Sequence, residues 1–231
     1  MVDKDAVRRA YDGLVETYAA DRSEDGPDVA ILEEGLETLP PSATVLDAGC
    51  GGGRPVLSRL CAETDAVGLD FSRGQLHLAA ETAPGAALVQ GDMTALPFSE
   101  GSFDAVVAYW SLIHVPMDDH GRAIDEFARV LRPGGRVLLC EGAEEWSGTN
   151  PDWLDSGVRM EWNIAGAKTT REQLRDAGFV VVDSWGAVDP LEEDGSDDGQ
   201  DDDRGSNERG DDVAEDSPWT FFLARLGSEI T

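Results

Sequence analysis

The stretch from Thr44 to Pro55 restricts the fold more than any other part of the chain. It reads Thr-Val-Leu-Asp-Ala-Gly-Cys-Gly-Gly-Gly-Arg-Pro. Thr44, Val45 and Leu46 read as a short buried strand, and the run ends on a carboxylate, Asp47. Glycine follows at 49, 51, 52 and 53, which permits positive φ and lets a ligand approach bare backbone. Pro55 suits the first turn of a helix, where its missing N–H costs nothing. Strand, glycine turn and helix start predict a nucleotide-type cradle. The spacing is D-x-G-x-G-x-G over Asp47, Gly49, Gly51 and Gly53, and Arg54 stands where the dinucleotide fingerprint wants a small residue. An acid at 47 also opposes a pyrophosphate at that helix N-terminus and favours a ligand with cationic groups. A dinucleotide-dependent oxidoreductase is disfavoured on both counts.

Helix and strand patterns alternate on either side of this turn. Residues 4–20 carry Val7, Ala10, Tyr11, Leu14, Val15 and Tyr18 at helical spacing, and a second helix over 28–38 is stopped by Pro40-Pro41. After the turn come helices over 55–64 and 73–82, with a strand between them, Ala66–Asp70, that ends on an acid. Asp70 lies 17 residues beyond Gly53, near the spacing at which an acid reaches a ribose. Ser72 supplies the N-cap of the next helix, which leaves Asp70 for that task. Further strands are read at 87–90, 103–110 and 136–141, with a helix over 119–131. A helix over 170–177 then leads to a sixth strand at 179–185 and a seventh at 219–225.

Three more strings complete the pattern: Gly91-Asp92-Met93-Thr-Ala-Leu-Pro-Phe98, Ser111-Leu-Ile-His114-Val-Pro116 and Leu131-Arg-Pro-Gly-Gly-Arg-Val-Leu-Leu139. With the glycine turn and Asp70, in this order and spacing, the chain resembles the class I S-adenosylmethionine (SAM)-dependent methyltransferases, and within them the small-molecule, quinone-biosynthesis-like type 11 branch. The resemblance covers residues 5–188 and 218–226. It implies a Rossmann-like, doubly wound α/β sheet of seven strands, mostly parallel with an antiparallel seventh, and SAM as cofactor. The cofactor-binding residues implied are Asp47, Gly49, Gly51 and Gly53 in the turn, Asp70 for the ribose hydroxyls with Phe71 beside it, and Asp92 and the Met93 backbone for adenine. Tyr109 joins them at the end of the fourth strand, and Tyr18 either reaches the cofactor from the N-terminal helices or packs beneath it. Tyr109, Trp110 and His114 lie where the methyl acceptor belongs, beyond the carboxyl end of a central strand. His114 is the candidate general base, because neutral imidazole has a suitable pKa. His77 and His120 are read as surface residues without a role. The sequence 109–112 is Tyr-Trp-Ser-Leu rather than an N-P-P-Y-like motif, which argues against amine and nucleic-acid acceptors. Residues 142–169 are irregular but hold Trp146, Trp153, Met160 and Trp162, either as part of an acceptor pocket or as core packing. A small, partly apolar acceptor is expected; the other reading is a SAM-binding or regulatory subunit without catalysis.

The charge sets the environment. The chain of 231 residues carries 47 acids against 18 bases, a net −29, and of the bases only Lys4 and Lys168 are lysine. Residues 189–217 account for 14 acids and two arginines, which leaves −17 of the −29 on the rest. Such self-repulsion is tolerable when salt screens it, which points to the cytoplasm of a halophile. It also argues against nucleic acid as a partner. Cys50, Cys61 and Cys140 show neither a disulfide framework nor metal-ligand spacing, and no membrane span is read. One domain is expected over 1–231, with a helical cap over 1–40 and a solvated acidic insertion over 189–217 between strands six and seven. Replacing 189–217 by a short Gly-containing turn is expected to leave SAM affinity and turnover at high salt unchanged. It should also lower the salt needed for stability; thermal unfolding against salt concentration and calorimetry check both, and a loss of affinity at high salt would make the segment functional.

Overall fold

The computed structural model describes residues 2–21, 26–40, 42–187 and 217–227. At its centre is β1 (Thr44–Ala48), whose side chains alternate between two cores, Val45 facing one and Leu46 the other. It pairs in parallel with β2 (Asp65–Asp70) on one side and β4 (Phe103–Ala108) on the other. β3 (Ala87–Gln90) extends the sheet beyond β2, and β5 (Leu131–Gly142) beyond β4. Past a separate hairpin, β6 (Trp146–Trp153) and β7 (Val158–Ile164), the chain returns as β8 (Phe179–Ala187) and β9 (Trp219–Leu226). The order is β3-β2-β1-β4-β5-β9-β8, with β9 antiparallel to both neighbours. This is the seven-stranded, mostly parallel α/β sheet expected from the sequence.

Each face of the sheet is covered because the central strands are apolar on both sides. Two helices, α1 (Lys4–Gly13) and α2 (Val15–Asp21), precede α3 (Pro27–Glu37), α4 (Val56–Glu63) and α5 (Arg73–Thr82). Ile31 of α3, Leu57 of α4 and Leu76 of α5 join the Val45 core. α6 (His120–Val130) and α7 (Ala167–Asp176) cover the other face with Ile124, Phe127 and Leu174. The chain leaves β1 and β4 for opposite faces, so a crevice opens between their carboxyl ends.

Two sequence readings are corrected here. The single helix over 4–20 is two, broken where Gly13 ends α1 and Leu14 turns into the core; the turn lets Tyr11 and Tyr18 meet edge to face at 5.2 Å. The irregular stretch 142–169 contains the β6–β7 hairpin, whose turn residues Leu154 and Asp155 have φ of 56° and 51°, as a primed turn requires. Tyr11 and Leu14 pack with Met160 of β7 in a third core, joined by Tyr18, Phe71, Trp153 and Trp162. The acidic segment, except Ser217, lies outside the described residues. Beyond it Trp219 pairs with both Ala187 and Gly142 at the carboxyl edge of the sheet, the edge that carries the crevice. There Trp219 meets Trp110 edge-on at 4.7 Å. Among the described residues no helix is long and apolar enough to cross a membrane.

Phe127 is fully buried between α6 and the sheet. Phe127→Ala is expected to destabilise the protein by about 3–5 kcal/mol. Urea unfolding checks this, and a loss below about 1 kcal/mol would mean that α6 does not pack on the sheet as described.

Candidate active site

The glycine turn is shaped by what presses on it. Gly49, Gly51 and Gly53 have φ of +89°, +50° and +88°, which side chains rarely tolerate. A Cβ on Gly49 would also lie 2.3 Å from the Cβ of Ser111, in the loop after β4. Ser111 is held there by donating its hydroxyl to the Ala48 carbonyl at 2.8 Å. Gly49 and Cys50 donate their N–H groups to the Leu69 carbonyl at 2.7 and 3.0 Å, which ties the turn to β2. Pro55 is the N-cap residue of α4, one position before the place expected for it.

Asp70, at the end of β2, is buried and accepts from Gly51 N–H at 2.9 Å through one oxygen and from Ser72 N–H at 2.8 Å through the other. Burial pushes its pKa up to about 6, against the pull of those two N–H groups. Each oxygen keeps a lone pair for another donor. Ser72 caps α5 as expected, and its hydroxyl and Gly74 N–H both donate to Asp12 of α1, at 2.7 and 3.1 Å. The helical cap is thereby docked on the start of α5.

Asp92 differs from the sequence reading in its surroundings. One oxygen accepts from the backbone and hydroxyl of Thr94 at 2.9 and 2.8 Å; the other accepts from Lys4 Nζ at 2.7 Å. Burial alone would raise its pKa, but the Lys4 and Thr94 bonds hold it below the usual range. Lys4 also donates to Thr94 Oγ1 at 3.1 Å and lies 3.6 Å from Asp119. An adenine amino group would therefore share the outer oxygen of Asp92 with Lys4.

The glycine turn, Asp70, Asp92 and Lys4 line one cavity. Its walls bring together every residue singled out in the sequence except Gly53, which shapes the turn from behind: Asp47, Gly49, Gly51, Asp70, Phe71, Asp92, Met93, Tyr109, Tyr18 and His114. Tyr109 stands edge-on to Phe221, with its buried hydroxyl making no hydrogen bond among the described residues. Trp110 follows in a left-handed conformation, φ 54°, with its N–H donated to Cys140 Sγ at 3.0 Å and its indole N–H to Asp28 at 3.2 Å.

His114 has both ring nitrogens engaged. Nδ1 lies 3.1 Å from the Glu161 carbonyl, which can only accept, so Nδ1 carries the proton. Nε2 then accepts from the Tyr11 hydroxyl at 2.8 Å. Burial drives the His114 pKa down to about 4. Tyr11 and Lys4 line the cavity but were not singled out in the sequence. Tyr11 reads there as one more apolar helix position; the scarcity of lysine was the one available signal for Lys4. His120, read as a surface residue, is fully buried.

The cavity fits SAM. The cradle admits no side chain at Gly49, Asp47 and Asp70 offer carboxylates to cationic and hydroxyl groups, and the Tyr109 hydroxyl is a donor without an acceptor among the described residues. The family described as Methyltransferase domain matches residues 46–139. A protein of Encephalitozoon cuniculi named as a putative methyltransferase is 34% identical over 155 residues, covering 60% of this chain and 71% of that protein. The demethylmenaquinone methyltransferase of Mycolicibacterium vanbaalenii is 42% identical over 103 residues, 45% of this chain and 43% of that one. The tRNA (carboxymethyluridine(34)-5-O)-methyltransferase of Arabidopsis thaliana is 29% identical over 189 residues, 79% of this chain and 45% of that one. The chain thus spans less than half the length of these last two relatives. The crystal structure of a SAM-dependent methyltransferase from Methanosarcina mazei superposes with a TM-score of 0.63 at 19% identity, covering 84% of this chain and 96% of that one. The motifs, the sheet order and these relatives together establish that the chain belongs to the class I SAM-dependent methyltransferases.

Proposed function

We propose that the protein transfers the methyl group of SAM to a small, partly apolar acceptor bound beside Tyr11, Trp110 and His114. The observation that carries this reading is that one cavity joins the glycine cradle and its carboxylates to an aromatic wall bearing the Tyr11–His114 pair. Asp47 would meet the ammonium group of the cofactor, Asp70 its ribose hydroxyls, and Asp92 with the Met93 backbone its adenine, with Tyr18 and Phe71 packing alongside. SAM, when bound, supplies a methyl on a sulfonium leaving group, so the protein need only align it with an acceptor, an effect of at most roughly 7–11 kcal/mol. His114 is buried and weakly basic, so its role is to hold the Tyr11 hydroxyl in place rather than to store a proton. This favours acceptors that ionise readily by themselves. The net charge of −29 opposes a tRNA acceptor and suits a high-salt cytoplasm. A screen of candidate acceptors with labelled SAM at high salt tests the proposal. Tight SAM binding with no product from any acceptor would favour a non-catalytic SAM-binding subunit.

Asp70→Ala is expected to weaken SAM binding by roughly 5- to 150-fold, from an unpaired polar group worth about 1–3 kcal/mol. Asp92→Ala should lose less, because the adenine contact is a single side-chain hydrogen bond backed by the backbone, and Ala95 N–H still donates to the residue 92 carbonyl. Since the ribose donates to the carboxylate form of Asp70, wild-type SAM affinity should fall as pH drops below about 6, and Asp70→Asn should flatten that fall. Calorimetry across pH checks all three, and an unchanged Asp70→Ala affinity would remove the ribose assignment. Tyr11→Phe is expected to cut turnover by about 10- to 100-fold through misalignment of the acceptor, with SAM affinity retained. The wild-type rate profile should show no histidine step between pH 6 and 7, because His114 stays neutral there; a step lost in His114→Gln would restore it as the base.

A further inference from the structure

Behind the acceptor side of the cavity lies a second pair of titratable groups with no part in the site as described. Glu141, near the carboxyl end of β5, and His120, the first residue of α6, are both fully buried, with His120 Nδ1 3.6 Å from Glu141 Oε2. The other ring nitrogen of His120, Nε2, lies 3.0 Å from the Val115 carbonyl. The other Glu141 oxygen accepts from Gly142 N–H at 3.1 Å. Neither His120 Nδ1 nor Glu141 Oε2 has a further hydrogen-bond partner among the described residues.

The Val115 carbonyl can only accept, so Nε2 must carry a proton, which leaves Nδ1 of a neutral imidazole presenting a lone pair to Glu141. Two lone pairs facing each other in a dry interior repel, and the contact is stabilised only when one proton lies between them. The contact is longer than an ordinary hydrogen bond, so charge rather than bond strength decides where that proton resides. A carboxylate there is supported by the backbone N–H groups of Gly142 and Ala165, which do not offset its burial. α6 contributes His120 itself, with Asp119 just before it; α7 contributes Arg171, which sits over the Phe222 ring at 5.2 Å; β9 places Thr220 directly across from Glu141; β4 contributes only apolar side chains on this face. We propose that Glu141 is protonated and His120 neutral in the folded protein, and that this pair acts as a positioning device for the loop between β4 and α6. Burial moves the two pKa values in the matching directions, Glu141 up to about 8 and His120 down.

What is positioned follows from the bonds. Glu141 and its neighbour Cys140 point to opposite faces of β5 and grip the same loop: Cys140 Sγ accepts from Trp110 N–H, and Glu141 acts through His120 on the Val115 carbonyl. Between those two points lie Ser111, which shapes the glycine turn, and His114, which holds Tyr11. Ionising Glu141 would set a carboxylate against the Nδ1 lone pair and push α6 away from the strand that fixes this loop. The inference rests on reading 110–115 as the acceptor wall, but its tests do not use turnover, so failure of either reading is seen separately.

Nitrogen-15 spectra of histidine-labelled protein at high salt read the tautomer of His120 directly. The expected result at pH 7 is a neutral ring with the proton on Nε2; an imidazolium, or a proton on Nδ1 alone, would overturn the proposal. The second test is stability against pH. Glu141 has a folded-state pKa raised above its unfolded value, so its contribution is complete below about pH 4.5 and is lost as pH rises to about 8. From pH 6.5 to 8 the unfolded histidines take up the same protons in both proteins, so wild type should release up to about one more proton on unfolding than Glu141→Gln. Its melting temperature should accordingly fall across that interval relative to that of the variant. Gln retains an N–H to donate to Nδ1, so the variant should also keep the wild-type His120 tautomer. Parallel pH curves for the two proteins would overturn the proposal. If Glu141→Gln fails to fold, the wild-type spectra decide alone.

Discussion

The site depends on one close approach. Ser111, bonded to the carbonyl of Ala48, occupies the space in which a side chain at residue 49 would stand. The chain can leave β1 there only as glycine, and only with positive φ. That requirement opens the turn, aims Gly51 N–H at Asp70 and brings the loop after β4 against the end of β1. The glycine cradle and the loop after β4 are therefore two sides of a single contact, which shapes the crevice of the doubly wound sheet.

An acid-rich chain must also manage the acids it buries, and each near this site is handled differently. Asp70 is compensated by two backbone N–H groups, which carry no charge and need no lysine. Asp92 is held by a cation at the rim. Asp28 accepts from its own helix start at Val29 N–H and from an indole. Glu141 accepts from Gly142 N–H through one oxygen and faces an imidazole with the other, and burial still pushes its pKa up to about 8. The sequence of solutions follows depth: ions at the rim, dipoles deeper, neutral groups deepest.

Much of this was legible in the sequence because buried parallel strands leave continuous apolar runs, and because the glycine turn and the Asp70 and Asp92 strings have fixed spacing. The hairpin was not. Trp146–Trp153 is largely exposed, so no buried face marks the strand, and its primed turn is built on Leu154-Asp155 instead of a glycine pair. The break at Leu14 was hidden because Leu14 continues the apolar stripe on both sides of it. Tyr11 at His114 and His120 beneath β5 are contacts between residues 103 and 21 positions apart, which no local pattern encodes. A histidine at the start of a helix reads as solvent-facing; only the sheet behind it makes it internal.

The roof over the cavity has two unlike fastenings. At one end Lys4 of α1 is ion-paired to Asp92, with both side chains partly in solvent. At the other, Tyr11 and Tyr18 lock against Trp153 with ring centroids 5.9 and 5.6 Å apart. Salt weakens the first by screening, while salts excluded from protein surface strengthen the second. Rising ionic strength thus moves the hinge of this roof: the Lys4 end loosens while the aromatic end tightens. On the function proposed above, the end that would hold adenine becomes the doorway in salt, and the end that would hold the acceptor the fixed wall.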